Sequence, residues 1–233
     1  MTNKYVKVMF NTTSSASDFE YKINEVNISN NWNPNVLNGK DFGSFNYTTE
    51  DCIIRWLHRG NTLNDVQIPD DAENIKIEGA TTIYRTNKII ISNPRKINDE
   101  IAFEFYKKSN IPEKSYYKAL AVATIMNYKK TAYAILNDKV NKNNIDEVLE
   151  EWNDFISHGG KNDRKDINDF VKEIENNLYD LKSKNKILKE LREKKIQDEY
   201  VKCEHSEICD GGLKCLIYAI YKDLNQKNIG CNL

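Results

Sequence analysis

The sequence predicts an α+β chain: an N-terminal mixed β-sheet head with one helix, a four-helix subdomain, and a C-terminal helical hairpin or coiled coil. Three observations carry that expectation. Up to about residue 95, apolar and aromatic residues come in short alternating runs separated by Gly, Pro and Asn, the period of half-buried strands. From Asn98 the apolar spacing becomes i, i+3, i+4, the period of amphipathic helices. After Gly159-Gly160, Ile167, Ile174, Leu181 and Leu188 recur every seven residues, with Val171 and Leu178 at companion positions, as in a helical seam. The boundaries that follow are 1–158 for the head with its helical subdomain and 163–233 for the tail.

"YVKVMF" (Tyr5 to Phe10) is β-branched and aromatic, hence a strand. "FEYKINEVNI" alternates, with a break of phase at Asn24-Glu25 that reads as a bulge or turn. "NNWNPNVLNGKDFG" is a polar loop, and "SFNY" a short strand. "TEDCIIRWLHR" is expected to be a helix capped by Thr48. Its buried side is Ile53, Ile54, Trp56 and Leu57, and Asp51 and Arg55 lie four apart for pairing on the exposed side. His58 and Arg59 suit the negative end of its dipole, and Gly60 the left-handed residue after it. "TLNDVQIP" is a strand closed by Pro69. "AENIKIEG" puts Ile75 and Ile77 on one face, and "TTIYRTNKIIISNP" is the longest strand, closed by Pro94.

Four helices follow. "NDEIAFEFYKKSN" starts at an Asn98 cap. "PEKSYYKALAVATIMN" carries Pro112 in its first turn. "YKKTAYAILNDKV" comes next, and "NIDEVLEEWNDFIS" presents Ile145, Val148, Leu149, Trp152 and Ile156. In the tail, one long helix precedes Gly211-Gly212 and "LKCLIYAIYKDLNQ" follows it. The pair is expected to fold back on itself or to contribute to a homodimer.

Composition narrows the function classes. The 233 residues are 39% hydrophobic and 30% charged, enough for a core beneath a polar surface. A net charge of −1 gives no global field directed at nucleic acid or an acidic membrane. No apolar run approaches the roughly 18–20 residues that span a bilayer. "MTNKYVKVMF" lacks a signal peptide's basic start and apolar stretch, so a cytoplasmic protein is expected. Five cysteines, four of them after residue 200, fit reduced thiols or a metal site better than a disulfide framework. Asn, Lys and Ile are abundant, as in proteins from AT-rich genomes of low-GC bacteria and their phages.

Four groups are candidates for chemistry. His58 and Arg59 end an amphipathic segment and suit an anion or nucleotide. "YRTNK" places Arg85 and Asn87 on one strand face, suited to a phosphate or carboxylate. The basic run 182–195 includes Lys184, Lys189 and Arg192 and reads as phosphate contacts or a solvated helical surface. Cys203, His205, Cys209 and Cys215 are spaced C-x-H-x3-C-x5-C, which departs from tight zinc knuckles but permits a structural zinc at a hairpin tip.

The order "GSFNYTTEDCIIRWLHRGNTLNDVQIPDDAE…YRTNKIIISNP" resembles a family of uncharacterised small proteins from phages and bacteria, over about residues 5–95. In arrangement it also resembles ADP-ribosyltransferase-like domains. That second resemblance implies an NAD pocket near "NTTSS", with Arg59, Tyr84 and Glu78 as its catalytic candidates. Glu73 and Glu78 belong to no E-x-E or Q-x-E pair, and no early strand carries Arg or His. The expectation is therefore a non-catalytic binding protein, encoded by a phage or mobile element, that needs no cofactor and docks on a host protein or ribonucleoprotein. An anti-defence inhibitor such as an anti-CRISPR protein is one concrete form. The alternative is the NAD-dependent transferase.

Overall fold

The structure is a computed structural model and describes residues 4–14, 19–35, 43–157 and 168–193. The chain divides into two compact units, Met1–Ile174 and Glu175–Leu233. The division falls inside a helix rather than at Gly159-Gly160. No helix among the described residues is long and apolar enough to cross a membrane.

The first unit is α+β. Its strands are β1 (Tyr5–Met9), β2 (Val26–Ile28), β3 (Phe45–Thr49), β4 (Thr62–Gln67), β5 (Asn74–Ile77), β6 (Ile83–Thr86) and β7 (Lys88–Lys96), in the order β2-β7-β4-β1-β3-β6-β5. Every ladder is antiparallel, so the expected mixed sheet is corrected. Parallel neighbours need long crossovers, and among the described residues parallel pairing is confined to an isolated bridge, Ile23 to Ile91.

The expected longest strand is two strands. β6 and β7 are separated only by Asn87, yet three strands lie between them in the sheet. The sheet therefore curls until the 83–96 run reaches both borders of the β4-β1-β3 ribbon. Asn87 makes the break: its Oδ1 accepts from the Glu73 backbone N–H at 2.9 Å, and its Nδ2 donates to the Glu73 carboxylate at 3.3 Å.

Pro94 does not close β7, which runs on to Lys96. Asn93 has φ 51°, and the β4 register shifts between Leu63 and Asp65, so Asn93 and Pro94 face Asn64 alone across a bulge. The Asn93 amide donates to Asp65 Oδ2 at 3.1 Å and holds it. A proline needs no ladder N–H there. Asn24, with φ 63°, makes the turn expected at Asn24-Glu25.

Thr48 is not a helix cap. It belongs to β3, pairs with Val6, and its hydroxyl donates to the Thr82 carbonyl at 2.6 Å. A 3-10 helix starts later, Ile53–Arg59, without a side-chain cap. Gly60 is not left-handed either: its φ is 168°, and a Cβ there would sit 2.0 Å from the Met9 carbonyl oxygen. Close approach of two backbones, not turn geometry, requires that glycine.

The helices are α1 (Asp99–Lys108), α2 (Glu113–Ile125), α3 (Lys129–Lys139), α4 (Ile145–Phe155) and α5 (Asn168–Glu193). Asn98 caps α1 by accepting from the Ile101 N–H at 2.9 Å. Pro112 stands just before α2 rather than inside it. α2 is buried on nearly every side and packs against the 3-10 helix, α3 and α4. α4 buries Ile145, Val148, Leu149 and Trp152 as their spacing predicts. Along α5, Phe170 and Ile174 are buried within the first unit, and Tyr133 of α3 meets Phe170 edge-on at 5.7 Å. The expected partner helix, hairpin turn and dimer contacts beyond α5 lie outside the described residues.

Strand alternation gives the sheet two cores. The concave side holds Met9, Tyr21, Phe45, Tyr47, Ile89 and Ile91, joined by Tyr5 and Tyr84. Tyr47 and Tyr84 stack at 5.2 Å, and Tyr5 meets each edge-on at 5.1 Å. Val6 and Val8 point the other way and are buried on the side that receives the 3-10 helix.

Lys7 shares the aromatic side with Tyr5 and Met9 and is only 8% exposed. Its Nζ donates to the Asn46 carbonyl at 2.5 Å and lies 5.2 Å from the centre of the Tyr21 ring. Burial, helped by the Arg59 charge, pushes its amine down to about 8. The unfolded chain holds that proton up to about pH 10.5, so between pH 8 and 10.5 the unfolded state binds more protons. Stability therefore rises with pH in that window. Urea titrations should show wild type gaining roughly 2 kcal/mol between pH 7.5 and 9.5. Lys7→Met should rise less steeply there, by about the Lys7 contribution, and be more stable at pH 7.5, with Lys118 supplying what rise remains. Parallel curves for the two proteins would contradict the assignment.

Candidate functional site

The 3-10 helix decides which side chains meet. With three residues per turn, positions i and i+3 eclipse. Ile54 and Leu57 form one column, fully buried. Arg55 and His58 form a second, and Trp56 and Arg59 a third. An α-helix over the same residues would instead have placed Arg55 and Arg59 together.

Two aromatic rings organise the cations. The Trp56 indole lies 5.3 Å from the Arg55 guanidinium carbon and 5.9 Å from that of Arg59, and its N–H donates to Thr81 Oγ1 at 3.0 Å. The Phe155 ring of α4 lies 5.3 Å from the Lys118 ammonium of α2 and meets the His58 ring edge-on at 5.3 Å. His58 also stacks against Trp56 at 6.3 Å. Each cation–π contact is worth about 0.5–1 kcal/mol at exposed sites and more when desolvated.

Charge balance within the cluster is incomplete. Among the described residues, no carboxylate comes within ion-pairing distance of Arg55, Arg59 or Lys118. Glu151 and Asp154 of α4 act on them only through their field. Burial pushes the Lys118 amine below its ordinary value, Arg55 and Arg59 push it further, and Glu151 and Asp154 oppose them. Burial also lowers Arg55, with Glu151 opposing. His58 is driven down to about 3, first by burial and then by Arg59, Lys118 and Arg55. It is thus a neutral wedge at pH 7 and not the helix-end cation the sequence suggested.

A cavity of about 730 Å³ opens beside Arg55, where Glu113, Lys114 and Ser115 of α2 face Glu147 and Glu151 of α4. Lys114 pairs with Glu147 at 2.8 Å, and Ser115 Oγ donates to the Ala80 carbonyl at 2.5 Å, while Arg55, Glu113 and Glu151 make no ion pair among the described residues.

The other expected site residues lie elsewhere. Arg85 is half-buried on β6, between Asn46 and Ile75. The Asn87 amide is engaged by Glu73. Tyr84 stacks on Tyr47 inside the curled sheet, and Glu78 pairs with Lys76 at 2.6 Å on the exposed end of β5. No hydrogen bond, ion pair or ring contact among the described residues joins Arg59, Tyr84 and Glu78. On α5, Lys184 pairs with Asp180 at 3.1 Å and Lys189 is exposed. Arg192 lies in α5, with its side chain outside the described part. Cys203, His205, Cys209 and Cys215 lie outside the described residues. Among those described, no group of three His, Cys, Asp or Glu is placed to hold a metal.

Sequence reasoning missed Lys118 and Phe155 and assigned Arg55 to Asp51. One signal was available. Lys118 interrupts the apolar run of "SYYKALAVATI", and a lysine in the middle of a buried helix calls for a reason. Compared with family models, curated proteins and solved structures, the chain gives no match.

The His58 shift has a measurable consequence. Its unfolded value is about 6.5, so between pH 6.5 and 3 the unfolded chain binds the extra proton. The stability linked to neutral His58 is complete above pH 6.5 and declines as pH falls. Wild type should lose about 1–2 kcal/mol more than His58→Gln between pH 7 and 5, read by urea unfolding. Equal losses would place His58 in solvent.

Proposed function

We propose that the protein is a non-catalytic binding protein that docks on a host macromolecule through the surface of Arg55, His58, Arg59 and Lys118. The observation that carries this reading is the cation set itself. Three positive side chains converge on two aromatic rings, two of them half-buried, with no ion pair among the described residues. Packing alone favours neutral residues at such positions, whereas binding surfaces favour arginine and tryptophan. A partner's anions would complete the charge balance.

Phage or mobile-element origin, action in the host cytoplasm and an anti-defence role, such as inhibition of a CRISPR effector, give this reading its concrete form. They draw on the resemblance in residues 5–95, on the charged helical arm after residue 163 and on an N-terminal sequence unlike a signal peptide. The NAD-dependent transferase draws no support from the scattered positions of Arg59, Tyr84 and Glu78.

Affinity capture from a bacterial lysate, followed by an NAD assay, tests the proposal. The wild-type chain should retain one stoichiometric partner, and Arg55→Glu/Arg59→Glu, with an unchanged circular dichroism spectrum, should lose at least 90% of it. Transfer of label from NAD to protein, abolished by Glu78→Ala, would overturn it.

A further inference from the structure

The geometry points to a nucleic-acid phosphate backbone, gripped without reading of the bases, as the partner of the Arg55–Arg59–Lys118 cluster. This rests on the docking reading above and names the chemistry of its partner.

Three observations favour phosphate. A guanidinium carries five N–H donors. No hydrogen bond from the side chain of Arg55 or Arg59 reaches an acceptor among the described residues; the Arg55 Nε is itself buried and out of a ligand's reach, but the terminal nitrogens of both guanidinium groups are not. Both forks therefore hold unused donors, and non-bridging phosphate oxygens match that geometry. Second, the cations are held in place by Trp56 and Phe155, so little side-chain freedom is lost on binding. Third, the rings are occupied by the protein's own groups: Arg55, Arg59 and His58 lie against Trp56, and His58 and Lys118 against Phe155. Within this cluster the rings are thus taken up by the protein's own side chains, so contact falls to the backbone, which positions but does not specify.

Each strand of a nucleic-acid duplex supplies a charge about every 3.4 Å of helix axis. It can offer several anions to three fixed cations at once. An acidic protein segment would have to present as many carboxylates, each bare of its own partner. The net charge of −1 gives no long-range steering, and Glu151 and Asp154 of α4 oppose the cluster locally. Binding should therefore be of short range and strongly salt-dependent.

Fluorescence anisotropy of the full chain with a labelled 20-nucleotide DNA, single-stranded and as a duplex, tests this across a NaCl series. Three phosphate contacts predict a log–log slope of about −2.7 for duplex and about −2 for single strand. Arg55→Gln/Arg59→Gln should weaken binding at least tenfold in low salt and bring the duplex slope to about −1. Glu151→Gln, with an unchanged circular dichroism spectrum, should tighten binding. Scrambling the DNA sequence should change affinity less than twofold. Lys184 and Lys189 of α5 are intact in every variant, so the differences report the cluster. Equal DNA binding by wild type and Arg55→Gln/Arg59→Gln would overturn the proposal. So would polyglutamate competing as well as DNA at equal charge, which would assign the surface to an acidic protein. If charge reversal abolishes protein capture while DNA never binds, the nucleic-acid step fails and the docking reading stands. If capture and DNA binding are both insensitive, both fail.

Discussion

The 83–96 run pairs with β3 and β5 before Asn87 and with β4 and β2 after it, and the rest of the first unit depends on that double pairing. One chain segment cannot border both sides of a three-strand ribbon unless the ribbon curls. Asn87 supplies the kink through Glu73, and the Asn93 bulge adds twist. Curling creates a concave side that must be filled. The tyrosines at 5, 21, 47 and 84, with Phe45 and the isoleucines of β7, fill it. It also brings Lys7 out of water, where a backbone carbonyl and a tyrosine ring replace its hydration.

The convex side has the opposite task. The strands beside β1 need a cover, and the chain between β3 and β4 provides it in only twelve residues, 50–61. Seven of these form a 3-10 helix. Its three-residue repeat puts Ile54 and Leu57 beneath α2 and turns Arg55, Trp56, His58 and Arg59 toward Lys118 and Phe155. The cluster is thus a product of a tight connection over a curled sheet. Gly60 ends it because the Met9 carbonyl leaves no room for a side chain.

Local rules and tertiary demands conflict in this cluster more than elsewhere. The Asn98 cap of α1 and the apolar stripe of α4 agree with their packing. The cluster instead gathers like charges and holds a histidine neutral by burying it among them. Departures of this kind are where function is expected to reside. Arg55, Arg59 and Lys118 gain from the rings beneath them, but rings neutralise nothing.

Much of the fold was legible in the residues. The change of period at Asn98, the Asn98 cap, the α4 stripe and the turn at Asn24 follow from local sterics and amphipathicity, which a sequence encodes directly. The candidate site was legible only at His58 and Arg59. A helix of 3.6 residues per turn was the natural expectation for "TEDCIIRWLHR", and it pairs Arg55 with Asp51. Only the short span across the sheet tightens the helix and redirects Arg55 to Trp56. Thr48 has the chemistry of a cap, but β1 offered it a ladder instead. Pro94 reads as a stop, and a bulge made it harmless. By itself, then, the sequence determined which segments are strands or helices and which faces are apolar, because those depend on neighbours within a few residues. Strand order, the curl, the split at Asn87 and the meeting of Arg55 with Lys118 across 63 positions of chain were decided by tertiary structure, because long-range pairing sets them and no local pattern records it.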